Sequence, residues 1–107
     1  MRIRKNSEAV DEYEMEFIAS VSYALAHPVR LLIFRHIMQC NKSMEKVCNK
    51  DLCETFDYAQ ATISQHVKKL VQSGLLEVKK ENKFSYYYAN LGILMHYIDA
   101  TKKFSII

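Results

Sequence analysis

Two helical periods set back to back, a stop at Ser73-Gly74, and then two short alternating runs leave this chain few folds to choose from. A short pattern from about residue 48 or 49 to residue 56 turns Leu52 and Phe56 to one side. Asp57-Tyr58-Ala59 leaves room only for a tight connection, made without glycine. Over residues 59–73 a second pattern sets Ile63, Val67, Leu70 and Val71 on one face, and Ala61, Thr62, Gln65, Lys68, Lys69 and Gln72 on the other. Ser73-Gly74 ends it, because glycine takes a left-handed C-terminal conformation without strain. Residues 75–80 and 83–89 then alternate as strands do, the second run rich in Phe and Tyr. Glu81-Asn82 lies between them, with Asn82 suited to a positive φ in a turn.

Further helical patterns flank this segment. Residues 9–25 space Val10, Tyr13, Phe17, Ile18, Val21 and Leu25 as a helix does, until the run from Ala24 to Arg30 breaks the period. Pro28 fits the first turn of a new helix, where its missing N–H is not needed. That helix carries Val29, Leu32, Ile33, His36, Ile37 and Cys40 on one stripe, widened by Leu31 and Phe34, which predicts burial on more than one side. Asn41-Lys42-Ser43 closes it, and Leu91, Leu94, Met95, Ile98 and Thr101 mark a last helix. The expectation is a mainly α fold with a small β-hairpin, in the order α-α-α-α-β-β-α. It forms one domain over residues 1–107, with residues 1–8 as a flexible basic arm. A chain of 107 residues buries only a modest share of its surface, so a partner subunit would help it.

The formal net charge of +3 says less than its distribution. Arg2, Arg4 and Lys5 open the chain, an acidic stretch from Glu8 to Glu16 follows, and Lys68, Lys69, Lys79, Lys80 and Lys83 cluster late with only Glu77 and Glu81 among them. Such local basicity attracts phosphates. No stretch approaches the roughly 18 apolar residues of a membrane span, and the N-terminus lacks the apolar core of a secretion signal. Three cysteines without an export signal point to thiols in a reducing compartment, hence a cytoplasmic chain with no membrane partner. Nucleophile-elbow, phosphate-loop, dinucleotide and zinc-protease motifs are missing, which argues against an enzyme.

A short helix, a tight turn and a second helix with a polar outer face make a helix-turn-helix. The major groove of duplex DNA admits one such helix, whose early residues reach base edges. Gln60, Ala61, Thr62, Ser64, Gln65 and His66 stand near that helix's start, followed by Lys68 and Lys69. Gln pairs with adenine N6 and N7, and a Thr methyl fits against thymine. Lys79, Lys80, Asn82 and Lys83 at the hairpin tip would lie along the phosphate backbone, giving affinity without sequence information. Two rival readings stand beside this one. Tyr86-Tyr87-Tyr88 could stack bases of a single strand, although alternation makes one face of it core. A helix-turn-helix with a hairpin also serves elsewhere as a protein–protein module, without effector sensing.

The segments from Leu25 to Ile33 (LAHPVRLLI), from Ala61 to Leu70 (ATISQHVKKL) and from Ser73 to Leu76 (SGLL) resemble the ArsR/SmtB family of winged helix-turn-helix repressors. The resemblance spans roughly residues 15–98. It implies a homodimer built from the first and last helices, binding to double-stranded operator DNA, and often an inducer that releases the DNA. His27 departs from the Asp or Asn common before the family's proline, and a weaker helix cap is the expectation.

Val47-Cys48-Asn49-Lys50-Asp51-Leu52-Cys53 resembles the Cys-x-Cys-Asp-Leu-Cys segment of arsenic-sensing members, with Lys50 in place of the middle cysteine. Soft metals and trivalent arsenic prefer thiolates. Cys48 and Cys53 are therefore the candidate ligands of a thiol-bound metal or arsenical, or partners in a redox response; otherwise they are small core or surface residues. Five residues separate them, about 140° around a regular helix, so their sulfurs meet only if the helix start unwinds. Cys40 lies on its own helix's apolar stripe, and His36 reads as a core residue. His96-x-x-Asp99 looks like half of a second family metal site on the last helix. Its Asp-x-His companion is missing, and an ordinary i,i+3 pair explains it equally.

Overall fold

The computed structural model describes residues 11–106. The basic arm expected at residues 1–8, and Val10 of the first pattern, lie outside the described residues. The elements run α1 (Glu12–Leu25), α2 (Pro28–Lys42), α3 (Asn49–Phe56), α4 (Gln60–Gln72), β1 (Leu76–Glu81), β2 (Phe84–Ala89) and α5 (Leu91–Lys102), followed by a 3₁₀ turn at Lys103–Ile106. No single helix among the described residues is long and apolar enough to cross a membrane.

Helices α1, α2 and α5 begin where a side chain takes up orphan amides. Asp11 accepts the Tyr13 and Glu14 N–H groups at the head of α1, and Asn90 accepts the Ile93 N–H at the head of α5. At the head of α2, where a weaker cap is expected, His27 Nδ1 accepts the Val29 N–H at 3.1 Å. An unprotonated imidazole nitrogen offers the same kind of lone pair as a carboxylate oxygen. The connection between α3 and α4 turns through Asp57 in the left-handed region, at φ 54°. Gly74, at φ 87°, ends α4. The hairpin turn is Asn82-Lys83, one residue later than expected, because Glu81 pairs with Phe84 and Asn82 takes φ 56°.

The core gathers Val21 and Ala24 of α1, Ile33, Phe34 and Ile37 of α2, Leu52 of α3, Ile63, Val67 and Leu70 of α4, and Leu75, Leu76 and Tyr87 near the hairpin. Leu31 and Leu32, expected inside, are about half exposed. The inward stripe of α2 is Arg30, Ile33, Phe34 and Ile37, an i, i+3, i+4, i+7 series that leaves residues 31 and 32 rotated outward. Arg30 is buried at 6% exposure. Its guanidinium donates to the Ala24 and Tyr23 carbonyls at 2.7 and 3.1 Å, the electronegative C-terminal end of α1. Asn41 fastens the end of α2 to the hairpin, donating to the Tyr87 carbonyl and accepting the Ala89 N–H. Val47 and Cys48 add a short third edge to that sheet, through the Tyr87 N–H bond to the Val47 carbonyl and a bridge between Cys48 and Tyr86.

Candidate nucleic-acid interface

Helix α4 sets Ile63, Val67 and Leu70 inward, and rotation by about 100° per residue then decides where its polar residues go. Gln60, Ala61, Thr62, Ser64, Gln65 and Lys68 are exposed. Ser64 is held from behind: its Oγ accepts from Asn49 Nδ2 of α3 at 3.1 Å. Two residues expected on the same surface point elsewhere. His66 immediately precedes the core residue Val67, so its ring faces the start of α2 and lies 4.6 Å from the His27 ring. Its Nδ1 is buried, and burial holds its pKa below the ordinary imidazole value, with His27, Arg30 and Lys69 acting in the same direction. Lys69 leans to α1, donating to the Tyr23 hydroxyl at 3.1 Å with its ammonium over the Tyr23 ring. That hydrogen bond and the charge behind it lower the Tyr23 pKa.

The hairpin stands beside α4 with Lys79, Lys80, Asn82 and Lys83 exposed. Lys79 rests over the Tyr88 ring, 5.1 Å from its centroid. Lys46 bonds to Glu81 and covers the Tyr86 ring, tying the loop before α3 to the hairpin. Tyr87 is buried between its two half-buried neighbours, so the triple-tyrosine run offers the hairpin no continuous stacking platform. Between the starts of α3 and α4 and the hairpin lies a groove of about 380 Å³, bordered by Cys48, Lys50, Gln60, Ser64, Lys83 and Ser85.

The cysteines sit beside this surface. Cys48 precedes α3, where its N–H donates to Asp51 Oδ2 at 2.9 Å and its thiol to the same oxygen at 3.2 Å. The Cys53 thiol donates to Asn49 Oδ1 at 3.3 Å. The two thus serve separate acceptors on α3, and no group of three or more His, Cys, Asp or Glu side chains is placed to hold a metal among the described residues. Cys40 lies 3.5 Å from His36 Nε2, and burial raises its pKa. His96 rests on Phe17, and Asp99 sits 3.8 Å from Lys102.

A family described as a helix-turn-helix domain matches residues 25–79. The arsenical resistance operon repressor of Bacillus subtilis (strain 168) is 33% identical over 84 residues, covering 78% of this chain and 71% of that protein. The chain belongs to the ArsR family. A Staphylococcus aureus repressor of the same description is 36% identical over 52 residues, 49% of this chain and 50% of its own length. The ArsR fold extends along almost the whole chain. An ArsR-like transcriptional regulator from Rhodococcus sp. RHA1 superposes with a TM-score of 0.75 at 20% identity, covering 86% of this chain and 82% of its own. A homodimeric winged helix-turn-helix DNA-binding domain from Mycobacterium bovis superposes at 0.69 and 18% identity, covering 94% and 91%. The chain is thus a winged helix-turn-helix protein of a repressor family: α3 and α4 form the helix-turn-helix and the β1–β2 hairpin is its wing.

Four residues of this ArsR chain do work that its sequence did not single out: Tyr23, Arg30, Asn41 and Asn49. Arg30 left a trace, since it completes the i, i+3, i+4, i+7 series on α2. The others act across long sequence separations and left none.

Proposed function

We propose that this chain represses transcription by binding operator duplex DNA as a homodimer, with α4 in the major groove and the wing along the backbone. The observation behind this is the outer row of α4. Gln60, Thr62 and Gln65 project from the fold with no hydrogen-bond partner among the described residues, beside the exposed wing lysines. Polar groups set in a row on a supported helix suit base edges, whereas a protein–protein surface favours an apolar centre. Gln65 is assigned to a base edge, Thr62 and Ala61 to close methyl contacts, and Lys68, Lys79, Lys80 and Lys83 to phosphates, with Asn82 shaping the wing tip.

Dimerisation through α1 and α5 is the pairing that their surfaces support. They pack side by side, with Ser22 Oγ 2.8 Å from the Tyr97 hydroxyl and Lys103 bonded to Glu14. The two helices leave Tyr13, Leu91 and Met95 exposed, and the 3₁₀ turn after α5 leaves Phe104 and Ile106 exposed. Two-fold pairing would cover these and set two α4 helices about one turn of DNA apart. The homodimeric Mycobacterium bovis domain supports the homodimer, without specifying its interface.

Release by a thiol-directed signal at Cys48 and Cys53 is the finer part of the proposal. It rests on Cys48 bordering the same groove as Gln60 and Lys83. The donor set does not fit a three-thiolate metalloid centre, since Lys50 replaces the middle cysteine and both thiols are engaged with other side chains. A response to oxidation or to a weakly held soft ion is the form this arrangement favours.

Selection from random duplexes, followed by binding and sedimentation, tests the reading. A two-fold site and a dimeric complex are expected, and Gln65→Ala loses about 1–3 kcal/mol on the selected site and little on random DNA. Equal loss on both DNAs removes Gln65 from base reading. Arsenite, cadmium, zinc and peroxide are then added to the complex beside the Cys48→Ser, Cys53→Ser double variant. If none lowers wild-type affinity, or the variant responds equally, both cysteines are structural.

A further inference from the structure

The start of α2 and the inner flank of α4 meet through two imidazoles that lie off the outer row of α4. The His27 and His66 rings lie 4.6 Å apart between centroids, inclined by 50°. His27 Nδ1 caps α2 by accepting the Val29 N–H, and only an unprotonated nitrogen accepts. His66 Nδ1 is buried with no hydrogen-bond partner among the described residues. As a bare lone pair it costs the fold a modest amount; as a positive N–H it would bring a charge into a site with no acceptor. The groups facing the pair are basic. Arg30 comes from α2, already committed to the Ala24 and Tyr23 carbonyls, and Lys69 from α4, committed to the Tyr23 hydroxyl of α1. The charges bearing on His66 are those of His27, Arg30 and Lys69, with no carboxylate among them.

We propose that His27 and His66 form an acid-sensitive latch on the recognition helix, holding α2 to α4 while both rings are neutral and parting when they are protonated, with loss of DNA affinity. A proton on His27 Nδ1 turns the cap from acceptor to donor and leaves the Val29 N–H without it. A proton on His66 sets three cations around one buried edge. Either change separates α4 from α1 and α2 and misplaces its outer row. The sign follows from linkage. Burial holds the folded pKa of His66 below the unfolded value of about 6.5, so its neutral form contributes stability fully above that pH. The contribution is lost as pH falls through the lowered folded value. Added positive charge by itself strengthens binding to DNA, so a loss of affinity on acidification runs against the general trend and marks the latch.

The effect on DNA rests on the reading proposed above; the effect on the fold does not. The full chain is tested at about pH 8 and about pH 5.5 at fixed salt, by urea unfolding and by binding to a duplex it selects at the higher pH. Wild type is compared with His27→Asn, which keeps a capping acceptor that does not titrate, and with the His27→Asn, His66→Gln double variant. Wild-type affinity is expected to fall about tenfold on acidification, with a lower urea midpoint. The single variant shows less of both effects and the double variant little of either. Unchanged or rising wild-type affinity at the lower pH overturns the latch, as does an equal loss in the double variant. If the double variant does not fold, the same comparison on His27→Asn decides. A chain that selects no duplex at the higher pH overturns the DNA reading instead, and the urea comparison alone then upholds or overturns the latch.

Discussion

The outer row and the inner flank of α4 carry similar residues and treat them in opposite ways. On the outer row, Gln60, Thr62, Gln65 and Lys68 are exposed. On the inner flank, His66 meets His27, and Lys69 is bound to Tyr23. Lys68 and Lys69 are adjacent in sequence, yet one helical step of about 100° gives the first to solvent and the second to α1. A polar residue on a recognition helix is therefore not a DNA contact by composition. The neighbouring helices decide which side chains are left available, and those they take up tie α4 to α1 and α2.

The largest expected effect comes from the buried stripe beneath both surfaces. Ile63→Ala removes a fully buried side chain and should cost about 2–5 kcal/mol of unfolding free energy in urea. A midpoint near wild type would mean that α4 is not anchored by this stripe, and the distinction between outer row and inner flank would fail. The next effect separates the two lysines. Lys68→Ala and Lys83→Ala should each reduce the salt dependence of DNA binding by about one unit of slope on any duplex. Lys69→Ala should reduce it less, because its ammonium is held at Tyr23. Equal slopes for Lys68→Ala and Lys69→Ala would erase the comparison. The smallest effect sharpens it. Tyr23→Phe removes only the hydroxyl at an exposed side chain and should leave the urea midpoint almost unmoved. In that background Lys69→Ala should change the salt slope more than it does alone, a non-additivity that a double-mutant cycle reads directly. Strict additivity would show that Tyr23 does not restrain Lys69.

Much of the fold was legible because its signals are local. Apolar residues recurring every three or four positions marked α1 to α5, Ser73-Gly74 marked the end of α4, and alternation marked both strands. The hairpin turn was misplaced by one residue because Glu81 and Asn82 are both polar, and only cross-strand pairing chose between them. The cap at His27 was hard to read for a different reason. Its imidazole caps through the Nδ1 lone pair, and sequence shows residue type without protonation or orientation. The outer row of α4 was readable as the face opposite Ile63, Val67 and Leu70. His66 and Lys69 sit at the borders of that face, where rotation alone does not settle the outcome and the contact with α1 and α2 does.

What the sequence by itself determined is the order of elements, the inward stripe of α4 and the exposed polar row opposite it, since all three follow from periods of two and 3.6 residues along a continuous chain. What only the tertiary structure decided are the side-chain contacts between one element and another. Arg30 closes the carbonyl end of α1, and Asn41 binds the backbone of β2. Asn49 steadies Ser64, while His27 meets His66. Each depends on which faces meet after the core has packed, and a pattern read along the chain holds no term for that.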